Sequence, residues 1–321
     1  MASARILLLL TAMGMLLSAQ PADQLAPEQI QIGDSTIDVS FAPGSLDLSR
    51  PQLSAWIQHA ADAVAAYFGH FPVAHARILV RPVQGRRGVF NGTTWGNRRS
   101  ADAFTRISIG ELTSPEQLES DWMMTHELTH MAFPDIAGDG REHHWIEEGM
   151  ATYIEPIARE QIGQLTADKV WRDMLRSMPQ GLPREGDQGL DHTHTWGRTY
   201  WGGALFWLLA DVQIREQTQN RKGLRDAMRG ILNAGGTLDH EWPIERALQT
   251  GDQAVGCPVL ENLYNQMKAT PVQTDLAALW QRLGVELNGG EVTYNDQAPL
   301  AAVRKAITAA RKSADARSLS R

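Results

Sequence analysis

His126-Glu127-Leu128-Thr129-His130 sets two imidazoles four positions apart with a carboxylate beside the first. On a helix, residues i and i+4 lie one turn apart on the same face, so both rings can reach one metal ion. Glu127 is rotated by about 100° from His126, beside such an ion rather than on it, where it can take a proton from bound water. A catalytic zinc needs in addition a third protein ligand and one open position.

The third ligand is where the sequence leaves a choice. Ile136 stands six residues past His130, where metzincins have a third histidine, which excludes that pattern. His143, His144, His192 and His194 are all available by spacing. So are the carboxylates of Trp145-Ile146-Glu147-Glu148-Gly149-Met150-Ala151-Thr152-Tyr153, and a carboxylate on this next helix is the best candidate.

H-E-x-x-H followed by W-x-x-E-G-x-A-x-Y resembles the gluzincin zinc metallopeptidases, in particular their aminopeptidase N and glycyl aminopeptidase branches. The resemblance implies Glu148, directly before Gly149, as the third zinc ligand, with Glu147 one position off the family register. Aminopeptidase N has one residue more in the gap after His130. Downstream, Tyr200-Trp201-Gly202-Gly203-Ala204 is similar to the family's Y-x-K-G-A element, with Gly202 in place of the lysine. Tyr200 would then donate a hydrogen bond to the tetrahedral oxyanion. The amine-binding G-x-M-E-N motif of aminopeptidase N has no match between Val83 and Thr113. Gly88-Val89-Phe90-Asn91-Gly92-Thr93-Thr94-Trp95-Gly96 occupies that place, either as an edge strand that pairs with a peptide backbone or as a hairpin loop. The resemblance covers residues 114–235 and implies one Zn²⁺ per chain and a peptide or protein substrate. Its fold is α+β: a thermolysin-like catalytic domain, with a small twisted sheet lobe over a mostly helical lobe and the cleft between them.

The elements that must position these groups are legible around them. Residues 28–43 alternate polar and apolar about Gly33-Asp34 and predict a hairpin. Trp56, Ala60, Val64 and Phe68 predict a helix over 53–68. Strands are expected over 76–83 and 104–109, with a loop or edge strand over 85–99. Ser114-Pro115-Glu116-Gln117 is a helix start, and that helix is expected to run through the histidine motif and stop before Pro134. Further helices are expected near 144–162, 199–217, 222–232, 258–268 and 274–283. Thr152 and Glu155 fall one and two turns beyond Glu148, on the side where groups that orient the histidines would stand. Trp145, Trp196 and Trp201, near the proposed site in sequence, are either core residues or walls of a cleft, and His192 and His194 belong to a polar loop or a second metal site.

Composition bounds the rest. The chain has 321 residues, 43% hydrophobic and 21% charged, enough for a real core. A net charge of −7 argues against a chain-wide grip on nucleic acid. The single Cys257 excludes a disulfide framework and a Cys-rich zinc module. Residues 1–20 have the layout of a signal peptide, whose twelve-residue apolar run over 6–17 is too short to span a bilayer. Export to the periplasm or outside the cell follows, with no membrane span in the mature protein. The expected organisation is 21–135 as a β-rich upper lobe ending in the zinc helix, 136–290 as the helical lower lobe, and 291–321 as a basic tail. The resulting expectation is a secreted zinc peptidase, endo- or aminopeptidase. The alternatives are a non-catalytic binding protein of the same fold or a zinc hydrolase of a non-peptide amide or ester.

Overall fold

The computed structural model describes residues 27–96, 102–138 and 140–309. The leader expected at 1–20 and the basic residues beyond 309 lie outside the described residues. Among those described, no helix is long and apolar enough to cross a membrane.

The hairpin forms as its alternation predicts. Strands β1 (Glu28–Ile32) and β2 (Ser35–Phe41) pair antiparallel from Glu28↔Val39 to Ile32↔Ser35. Gly33 takes the turn at φ +58, a left-handed conformation that disfavours a side chain. Helix α1 (Arg50–Phe68) opens where the Ser49 N–H donates to Gln52 Oε1 at 2.9 Å, and ends at Gly69, φ +99. Its Trp56, Ala60, Val64 and Phe68 are all buried. Strands β3 (His75–Val83), β4 (Val89–Trp95) and β5 (Ala103–Gly110) complete a mixed sheet in the order β1-β2-β3-β5-β4. The β2, β3 and β5 pairings are parallel, and the two outer strands run antiparallel to their neighbours. The glycine-bracketed stretch is thus an edge strand, with a bulge between Val89 and Asn91.

The helix expected from Ser114 to Pro134 is instead two helices, α2 (Pro115–Ser120) and α3 (Met123–His130). The break has a local cause. Asp121 is extended, at φ −70 and ψ 144, and its Oδ1 accepts the Met123 N–H at 2.8 Å. A short acidic side chain that caps the next helix competes with continuing the previous one.

A two-residue strand β6 (Asp135–Ile136) then leads to α4 (His144–Gln161), followed by α5 (Ala167–Ser177) and a 3₁₀ turn, Met178–Gly181. A π-helical turn over Arg198–Gly202 runs straight into α6 (Gly203–Gln217). After α7 (Leu224–Asn233), strand β7 (Glu241–Trp242) pairs parallel with β6. Helices α8 (Ile244–Val255), α9 (Val259–Met267) and α10 (Leu276–Leu283) precede a hairpin of β8 (Val285–Asn288) and β9 (Glu291–Tyr294), and α11 (Ala301–Ile307) follows. Helices α5 and α8 were not foreseen. Residues 291–309 are not a tail: Arg304 is buried and donates to the Leu283 carbonyl at 3.1 Å and to Gly284, and Ile307 is in the core.

One crossing matters for the site. Where α4 meets α6, a methyl group on Gly149 would lie 2.3 Å from Gly203 Cα, and one on Gly203 would lie 2.2 Å from the Trp145 carbonyl oxygen. The backbones touch there because neither residue has a side chain. Around the crossing, Trp145, Tyr153, Phe206 and Trp207 are fully buried.

Candidate active site

The histidine motif occupies the whole second half of α3. Met124 and Leu128 are buried and anchor the helix in the core, leaving His126, Glu127 and His130 on the cleft side. The two imidazole rings are 4.9 Å apart. Glu127 points toward β4, whose Thr94 Oγ1 donates to its Oε2 at 2.7 Å. Because Thr94 has a single hydroxyl proton, its second contact, 2.9 Å to Thr105 Oγ1, must be one in which Thr105 donates. The strand approaches so closely that a methyl group on Gly92 would sit 2.3 Å from Glu127 Oε1. A side chain at position 92 would have to displace that carboxylate.

Helix α4 brings the third group. Its first turn is fixed by the Trp145 indole N–H, which donates to buried Asp191 at 2.8 Å, and by the Trp207 N–H, which donates to the Ile146 carbonyl at 2.9 Å. Glu148 Oε2 then lies 3.0 Å from His126 Nε2 and 3.7 Å from His130 Nε2, and its Oε1 lies 3.4 Å from His144 Nε2. His126, His130 and Glu148 offer ligand atoms that all fall within 4.8 Å of one another. Glu147 turns away from this group, and its Oε1 accepts the Ile136 N–H at 3.2 Å.

The charges within the group are strongly coupled. Burial raises the proton affinity of Glu148, but the neighbouring imidazoles of His130 and His126 outweigh it and hold the carboxyl well below its usual range. His130 shows the reverse balance: burial lowers its pKa, yet Glu148, then Glu127 and Glu147, lift it to about 9. Burial pushes Glu147 up to about 7.

Tyr200 enters from the π-helical turn, an irregularity often found where a helix re-aims a functional side chain. Its ring lies 6.4 Å from that of His126, and its hydroxyl bonds to Glu148. Burial and the carboxylates of Glu148 and Glu127 push that hydroxyl up to about 12, so it remains a donor at neutral pH. The crossing at Gly149 and Gly203 makes this approach possible. Buried Arg198, within the same turn, pairs with Asp187 at 2.7 Å and fixes it from below.

A cleft of about 440 Å³ opens over these groups, walled by Phe90, Trp122, Met123, Phe133, Pro134 and Leu238. Other expectations fare differently. Trp145 belongs to the core rather than to the walls, and Trp201 is partly buried against that core, whereas Trp196 stands exposed beside Tyr200. His192 and His194 are exposed and join no metal-ligating cluster among the described residues. His143 bonds to the Tyr264 hydroxyl at 3.1 Å. Thr152 is half-buried on α4, and Glu155 turns to Arg159 at 2.9 Å instead of to a histidine.

Two participants, Thr94 and Trp122, were not foreseen, and His144, available by spacing as a third ligand, contacts Glu148 instead of joining the candidate metal cluster. Thr94 reaches Glu127 only through the pairing of β4 with β5, which no local pattern announces. His144 reaches Glu148 at the i,i+4 spacing, and Trp122 meets His126, also four residues on, with ring centres 5.1 Å apart. Both spacings were visible in the sequence.

No family model and no curated protein sequence matches the chain. Solved structures do. An aminopeptidase N family protein from Idiomarina loihiensis aligns with a TM-score of 0.59 at 15% identity, covering 81% of this chain and 49% of its own. An M1 zinc metallopeptidase from Deinococcus radiodurans aligns with a TM-score of 0.47 at 14% identity, covering 78% of this chain and 52% of its own. The chain spans about half the length of these structures. In fold, this chain is similar to the aminopeptidase N family protein, a mixed sheet with helices of the kind its sequence led one to expect.

Proposed function

We propose that this chain is a zinc-dependent peptidase that hydrolyses peptide bonds, with His126, His130 and Glu148 as the ligands of one Zn²⁺ and Glu127 as the general base. The observation that carries this reading is the convergence of two imidazoles and one carboxylate, with a further carboxylate beside them and engaged elsewhere. Two histidines and a glutamate form a known donor set for catalytic zinc, one that leaves a coordination position free. When bound, zinc supplies Lewis acidity, which brings the pKa of water toward about 7 and polarises a carbonyl.

The chain's own residues do the rest. Glu127, steered by Thr94, takes a proton from the attacking water and passes it to the leaving nitrogen. Tyr200, neutral and donating, turns its hydroxyl to the carbonyl oxygen as that atom gains charge, the kind of contact worth about 3 kcal/mol in a transition state. A substrate lying along the outer edge of β4 can pair its backbone with that strand and place a peptide bond over the cleft floor. The mature enzyme is proposed to act after export, so N-terminal sequencing of protein from the exported fraction should begin near residue 21.

The deciding experiment is mass spectrometry of a diverse peptide mixture incubated with the zinc-loaded protein and with Glu127→Gln. The expected result is a set of cuts that disappears in the variant while its zinc content stays at one ion per chain. Cuts that persist in Glu127→Gln would remove the general base from the mechanism. Bound zinc without any cleavage would favour a binding protein, and turnover of esters or non-peptide amides alone would redirect the reading to another hydrolase.

A further inference from the structure

A groove of about 1610 Å³ lies apart from the active site and shares no lining residue with its cleft. It runs between the β1–β2 turn, one face of α1, helix α2 and the end of α4. Along α1 the lining extends from Gln52 to Ala66, about 21 Å of helix, which is room for about six extended residues.

The groove is acidic. Asp34, Asp62, Glu119 and Asp121 line it, and among the described residues Arg159 is its only lysine or arginine. That guanidinium is already engaged: it donates to Glu155 Oε1 at 2.9 Å, to Gln164 Oε1 at 3.2 Å and to the Glu119 carbonyl at 3.3 Å. His59 and His70 also face the groove, and the His70 ring bonds to the Phe71 carbonyl at 2.8 Å. Burial raises the pKa of Asp62 and lifts that of Asp121 to about 6, outweighing the polar neighbours that would lower them. A second observation is independent of charge. Gln161, 6% exposed and part of the lining, keeps a buried side-chain oxygen with no hydrogen-bond partner among the described residues. Buried acceptors are ordinarily paired, so this one calls for a donor from outside those residues.

Residues 310–321 supply both charge and donors: Arg311, Lys312, Arg317 and Arg321 stand against a single Asp315. They also start close enough. Thr308 Oγ1 accepts the Trp171 indole N–H at 3.2 Å, so the chain leaves α11 beside α5. Gln164, which lines the groove, precedes Trp171 by seven positions; three extended steps and one helical turn put their Cα atoms within about 18 Å. Twelve extended residues reach about 40 Å.

We propose that residues 310–321 lie in this groove of their own chain, with their basic side chains against Asp34, Asp62, Glu119 and Asp121. The segment straps α1, α2 and the end of α4 together. Asp121 also caps α3, so the strap bears on the helix that carries His126 and His130. This inference stands whether or not the protein is a peptidase.

The test is carbodiimide coupling of the full chain, which joins an amine to a carboxylate in contact with it, followed by mass spectrometry. Lys312 is the only lysine in the segment, and the Lys169–Asp173 pair on α5 serves as internal control. Lys312 should be joined to one or more of the four groove carboxylates. In Asp62→Asn combined with Glu119→Gln, its coupling to Asp34 and Asp121 should fall about fivefold, as expected for the loss of two exposed ion pairs. No coupling of Lys312 to the groove while Lys169–Asp173 forms overturns the proposal. Coupling to the groove that is unchanged in the double variant also overturns it, because charge then does not hold the segment. Mixing isotopically labelled and unlabelled protein separates the remaining case: links only between differently labelled chains would give the groove to a second copy and overturn the strap.

Discussion

Thr94 has one proton to give, and it gives it to Glu127. Replacing it with valine keeps the shape and removes the donor. A hydrogen bond to an ionised group is worth about 2 kcal/mol, so Thr94→Val should lower kcat ten- to about a hundredfold with zinc content unchanged. Gly92→Ala should be more damaging, because its methyl group would overlap Glu127 rather than release it. His130 sets a pH dependence. Its proton affinity is raised to about 9, and only its neutral form can ligate a metal, so zinc affinity should fall as pH drops below that value. Calorimetry in buffers of different ionisation enthalpy should detect about one proton released per zinc at neutral pH. In protein stripped of metal by chelation, the sign for stability is opposite. The interactions that raise His130 are fully present below its ordinary value of 6.5 and are lost as pH rises through about 9, so the melting temperature should decline across that interval. At this scale the convergence of His126 and His130 was legible, because H-E-x-x-H is a geometric statement about one helix. It was silent on Thr94, because a threonine in a strand carries no sign of which helix passes above it.

The element that sets the distance between Glu148 and Tyr200 is the crossing of α4 and α6. Gly149→Ala or Gly203→Ala would drive a methyl group into backbone at 2.3 Å or less, with no flexible side chain to yield. Each should cost about 3 kcal/mol in chemical denaturation. Surviving protein should also lose activity, since the hydroxyl and the carboxylate would move apart. Both glycines were visible in the sequence, but their meeting was not, because contact between distant helices leaves no periodic trace. The first half of α1 and the first hairpin were legible for the opposite reason: their burial repeats every turn or every second residue, before α1 is buried on all sides over 63–68. The broken helix at Asp121 shows the limit of reading a pattern through a residue that can cap. The apolar spacing continues across the break, while the backbone does not.

For the molecule as a whole, the sheet-and-helix architecture was legible and the end of the chain was not. Arg304 looked like one charge in a basic stretch, yet it is buried and donates to the carbonyls of Leu283, Gly284 and Asn295. Arg304→Ala should leave those acceptors without partners and cost about 2 kcal/mol, and truncation before α11 should cost more, both measurable by urea denaturation. The sheet carries a further consequence at β4. A strand at the edge of a sheet presents a row of backbone groups to any chain that can reach them, which makes it a template for self-association. This one is seven residues long, is kinked by a bulge between Val89 and Asn91, and is overhung by α3 so closely that Glu127 touches Gly92. A flat second sheet meets that overhang and that kink before it meets the amides. A single extended strand can slide in beside them. The feature proposed to admit one guest chain to the cleft would therefore also guard the protein against aggregating through its own edge.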